Sequence, residues 1–120
     1  MAENEHRAEV EITFSGKQMI MRPTFDAIAR IEAGTGKGIL ELAKRYDRGD
    51  VSITDTAIIL TEGLRAGSEA GGANYQAVGK QLVREGLPKF IAPVGRFLLL
   101  CLGGPAEDEN PTTETTTETQ

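Results

Sequence analysis

One cysteine, one histidine and no long apolar run set the first limits on this 120-residue chain. Cys101 stands alone, so the chain has no internal disulfide and no cysteine-based metal site, which suits a reducing cytosol. The N-terminal stretch MAENEHRAEVE is charged and has no apolar segment, so no signal peptide is expected. The longest apolar run, Phe97 to Leu102, is too short to cross a bilayer. A cationic excess is missing too, with 13 Lys+Arg against 18 Asp+Glu. Nucleic-acid binding rests on cationic contacts to phosphate, so neither nucleic acid nor membrane is expected as a partner. The chain is expected to be soluble and cytoplasmic.

What is present divides unevenly. After Pro105 the sequence reads AEDENPTTETTTETQ, with nothing larger than Ala to bury. Such a segment cannot offset its ordering entropy, so 106–120 is expected to be a disordered acidic Thr/Glu-rich tail. Five of the 18 acids lie there and none of the 13 bases, so residues 1–105 carry 13 charges of each sign. The expected organisation is a flexible N-terminus over 1–7, a single α+β domain over 8–105, and the tail.

Within 8–105 the period changes once. Val10, Ile12 and Phe14 alternate with Glu9, Glu11 and Thr13, the pattern of a half-buried strand. Ser15-Gly16-Lys17 forms a turn, and Gln18 to Arg22 resumes as a second strand that Pro23 ends. From there the spacing is helical, giving an α+β chain with an N-terminal β-hairpin followed by about five α-helices. Thr24 caps a first helix with Phe25, Ile28 and Ile31 inward until Gly34. After the linker 35–38, Ile39, Leu42, Ala43 and Tyr46 mark a second helix, supported by Glu41 and Arg45 and ending near Arg48-Gly49.

Ser52-Ile53-Thr54-Asp55 resembles a capping box opening a third helix. That helix buries Ala57, Leu60 and Leu64 fully, and Ile58 and Ile59 in part. Residues 67–72 read as a flexible connection. Asn74 caps a fourth helix striped by Tyr75, Val78 and Leu82 and closed by Gly86. Pro88 suits the first turn of a fifth, which runs to Gly103-Gly104-Pro105. Its second half is apolar on every side, so it is either fully buried or keeps one face for another chain.

The motifs that suggest chemistry fail on detail. Gly34-Thr35-Gly36-Lys37-Gly38 has the wrong spacing for a phosphate loop, lacks Ser or Thr after the lysine, and follows a helix. Arg48-Gly49-Asp50 is a turn at a helix end, and Asn110-Pro111-Thr112 is blocked as a glycosylation acceptor by its proline. His6 has no second ligand type near it, Cys101 reads as a small core residue, and Asp47 and Asp50 fall in a turn. No catalytic, cofactor-binding or metal-binding set emerges, and the expected function is non-enzymatic.

The order of elements carries a resemblance. Val10 to Phe14, Pro23-Thr-Phe-Asp-Ala-Ile-Ala-Arg-Ile-Glu32, Ser52-Ile-Thr-Asp55, Gly63-Leu64-Arg65-Ala66-Gly67 and Gly103-Gly104 follow one another as in the small tail protein of the gene-transfer-agent type. The chain resembles that family over residues 8–105, although its Thr/Glu tail departs from the family's compact ending. The family is found in the tail gene clusters of long-tailed phages and phage-like particles. It is grouped with tail assembly chaperones and also described as tail tube protein.

The resemblance implies a binding function: coating the helical tape-measure protein and helping to bring tail tube subunits to it. Self-association is a further use open to such a surface. The implied contact set is Phe90, Ile91, Val94, Phe97, Leu98 and Leu102. Asp or Lys at Phe97 and Leu98 is then expected to abolish partner binding with the fold intact. The alternative is a structural tail tube or tail-completion subunit retained in the particle.

Overall fold

A computed structural model describes residues 9–67 and 74–103. The expected flexible N-terminus, the tail over 106–120, His6 and most of the 67–72 connection lie outside the described residues. The order is β1 (Val10–Phe14), β2 (Lys17–Met21), α1 (Phe25–Thr35), α2 (Ile39–Arg48), α3 (Ile53–Gly67), α4 (Tyr75–Glu85) and α5 (Pro88–Cys101). It is the hairpin and five helices that the period change predicts.

β1 and β2 pair antiparallel with Phe14 opposite Lys17 and Val10 opposite Met21. Lys17 therefore belongs to the strand, and the turn is Ser15-Gly16 alone. Both turn residues have positive φ, 55° and 77°, the twist that a two-residue hairpin requires. Val10, Ile12 and Phe14 face inward, and Phe14 meets Phe90 of α5 edge to face at 5.7 Å.

Caps set the helix limits. The Thr24 hydroxyl accepts the Ala27 N–H at 3.1 Å, and α1 runs through Gly34 to Thr35, one residue beyond expectation. The first N–H of α2, at Ile39, is taken by the Glu32 carboxylate at 2.9 Å. Ser52 Oγ accepts the Asp55 N–H at 3.0 Å. The Asp55 carboxylate pairs instead with Lys37 Nζ at 3.1 Å, so only half of the capping box forms. Asn74 Oδ1 accepts the Ala77 N–H at 2.8 Å.

α3 is the central element and packs against α1, α4, α5 and β2. Every residue from Asp55 to Leu64 is buried, so Ile58 and Ile59 are fully rather than partly covered. Gly63 permits the closest approach: a Cβ there would lie 2.6 Å from the Met21 methyl and 3.2 Å from Phe97. α5 continues through Pro93. An interior proline costs a helix about 3 kcal/mol, and burial of Phe90, Val94, Phe97 and Leu98 around it offsets that loss.

One inward assignment is corrected. Phe25 is 84% exposed, because α1 turns Ala27 and Ile31 toward the core. At about 100° per residue, the first residue of the helix falls far from that face.

Candidate functional site

α2 and α5 pack side by side and leave a groove of about 600 Å³ between their outer faces. On α2, Ile39, Leu42 and Tyr46 point into the core. Leu40 falls outside that spacing and stays 54% exposed. On α5, Phe90, Val94, Phe97 and Leu98 take the inner face. Leu99 (53% exposed) and Leu102 (45% exposed) are left on the groove side, with Ile91 half-buried beside them. An alanine and a glycine, Ala92 and Gly95, keep this stretch of α5 short of side-chain bulk.

The implied contact set therefore divides. Phe90, Val94, Phe97 and Leu98 are core residues that no partner reaches in this fold, and only Ile91 and Leu102 reach the groove. The expectation that charge at Phe97 and Leu98 leaves the fold intact is corrected, since both side chains are fully buried. Leu40 and Leu99 were missed. Their signal in the sequence is a leucine directly beside a stripe residue but off its period.

The rim is cationic. Lys44 and Arg96 border the groove, and among the described residues neither has an ion-pair partner. Arg48 shares Asp50 with Arg45, at 3.6 and 3.1 Å. Asp47 is the acid that borders the groove. The surface is thus an apolar floor of leucine and isoleucine edged by two free cations. It suits an amphipathic helix.

The other sequence candidates do not assemble into a reactive centre. Lys37 is held by Asp55 rather than open to a phosphate. Burial pushes the Cys101 thiol up to about 12, so little of it is thiolate at neutral pH. Asp50 is tied to arginines and Asp47 is exposed. Glu62 is almost fully buried, where the Tyr75 hydroxyl donates to it at 2.6 Å and Arg65 approaches to 3.4 Å. That hydrogen bond also raises the Tyr75 phenol. The cluster fastens α4 to α3. Among the described residues no group of three His, Cys, Asp or Glu could hold a metal ion, and no helix is long and apolar enough to cross a membrane.

An apolar groove with a charged rim on a small α+β chain is a surface suited to another protein. Residues 7–104 match the family model described as "Phage tail tube protein, GTA-gp10", and the chain belongs to that family. Its role is therefore in the structure or assembly of phage-type tails, in company with other tail proteins. No curated protein and no solved structure gives a significant match.

Proposed function

We propose that this protein is a non-enzymatic tail assembly chaperone that binds the tape-measure protein and helps recruit tail tube subunits. The observation that carries this reading is the α2–α5 groove. A tape measure exposes long apolar helical stripes that aggregate when uncovered, and a helix-lined apolar groove covers such a stripe. The contact residues are Ile91 and Leu102 with Leu40 and Leu99, lying where the floor is open. The balanced charge of residues 1–105 speaks for protein partners over nucleic acid, and the site of action is the host cytosol.

Co-expression with the tape-measure protein of the same gene cluster tests it. A soluble complex that forms only when both chains are present, and is lost with Leu99→Asp, is the expected result. A tape measure that stays insoluble beside this protein ends the reading.

The second reading is a tail tube or tail-completion subunit that stays in the particle, which the family's description as tail tube protein favours. Continuous rings of tube subunits need more β structure than one hairpin of two five-residue strands provides. Purified particles separate the two: a retained subunit is found in them, and a chaperone is not.

A further inference from the structure

We propose that the free protein associates with further copies of itself, head to tail, by seating the outer face of α1 in the α2–α5 groove of the next copy. The argument begins with Phe25. Among the described residues it is the most exposed large hydrophobic side chain, at 84%. Phe25, Ala29 and Ala33 recur every fourth residue and are all exposed, so they form one stripe along the face opposite Ala27 and Ile31. One aromatic followed by two alanines is a large knob on a close-approaching helix, the form of anchor that fills a pocket at an interface centre.

The charges on the two surfaces are complementary. Asp26 flanks the α1 stripe on one side, where Arg30 pairs with it only at 3.7 Å, and Glu32 flanks it on the other, its carboxylate also accepting the Ile39 N–H. Lys44 and Arg96 edge the groove without ion-pair partners among the described residues. An acid-flanked apolar stripe thus meets a cation-edged apolar floor of Leu40, Leu99 and Leu102. Because stripe and groove lie on different elements of the same chain, the contact is heterologous. Each copy offers one surface and accepts on the other, so the assembly grows or closes into a ring.

This inference concerns the free protein and does not rest on the tape-measure reading. A tape-measure helix would compete for the same groove. Either can fail without the other.

The test uses the purified full chain, with Phe25→Glu and Leu99→Glu made separately and mass followed by sedimentation over a concentration series. Both positions are exposed, so circular dichroism is expected to be unchanged. Wild type is expected to gain mass with concentration, and each variant alone to remain monomeric. An equimolar mixture of the two variants is expected to form a dimer, because one intact groove and one intact stripe remain between them. Arg96→Glu is expected to weaken wild-type association, with Asp26→Lys in the mixed partner restoring it. A wild type that stays monomeric at millimolar concentration overturns the proposal. So does association that survives both substitutions, or a mixture that fails to dimerise, since each places any contact elsewhere.

Discussion

The two faces of α5 are almost equally apolar, yet they do different work. Phe90, Val94, Phe97 and Leu98 are sealed against β1, α3 and α2, whereas Ile91, Leu99 and Leu102 look onto an open groove. Hydropathy alone makes the helix look uniform. What separates its faces is the geometry of the neighbours. α3 and the hairpin cover the inner side, while α2 crosses close enough to wall the outer side without filling it. An apolar helix in so small a chain can therefore be core and contact surface at once.

The largest expected difference between the faces is in stability. Phe97→Ala should cost about 3–5 kcal/mol, the range for emptying a buried aromatic site, and Phe97→Asp should leave the chain unfolded. Leu99→Asp should stay within about 0.5 kcal/mol of wild type, as surface changes do, while removing groove binding. Urea unfolding followed by circular dichroism measures both. Equal losses at 97 and 99 would mean that the two faces are not distinct.

Gly63 tests how tightly the inner face is closed. A methyl there would press on Phe97 and the Met21 methyl. Gly63→Ala should therefore cost about 1–3 kcal/mol by overpacking, despite the better helix propensity of alanine. A stabilised variant would show that the seam between α3 and α5 has slack.

Much of this was legible in the sequence, for local reasons. The strand alternation, the caps at Thr24, Ser52 and Asn74, and the glycines that end α2 and α4 are decided within a few residues of chain. The misreadings share a non-local cause. An aromatic at helical spacing, Phe25, looks like core, but the direction α1 faces is chosen by α3. Nothing local separates Phe97 and Leu98 from Leu99, so all three look alike as contact residues. The polar side chains buried inside α3 find their partners in the fold. Thr56 and Thr61 are satisfied by the carbonyls one turn back, Ser52 and Ala57, both at 2.7 Å. Glu62 depends on a tyrosine thirteen residues away, and no window on α3 contains it.

Beneath the groove, the buried Tyr46 hydroxyl is hydrogen-bonded to Thr56 Oγ1. Burial pushes that phenol up to about 12. Tyr46→Phe should cost about 1 kcal/mol. A folded-state pKa raised above the unfolded value gives stability that is complete below about pH 10 and lost as pH rises toward 12. The wild type should accordingly lose stability over that range faster than the Phe variant. Parallel losses would mean that this hydroxyl is more accessible than its burial implies.

The smallest effect expected is where the hairpin turn meets the start of α5. The Glu85 carboxylate accepts the Ser15 N–H at 2.6 Å and a Gln81 side-chain donor at 2.7 Å, and pairs with Lys89 of α5 at 3.1 Å. Burial works to raise this carboxyl, but the Gln81, Ser15 and Lys89 contacts together outweigh it and hold it below the ordinary value. A lowered folded-state pKa gives stability that is present above the unfolded value of about 4.3 and lost as pH falls through the folded one. Glu85→Gln keeps an acceptor for Ser15 and drops the charge, so it should cost under about 1 kcal/mol at neutral pH. That gap should close on acidification, because protonated Glu85 then differs little from the amide. A gap that stays constant from neutral pH to below pH 4 would show that the turn is held by shape alone, and that the inner face of α5 needs no charge at its first turn.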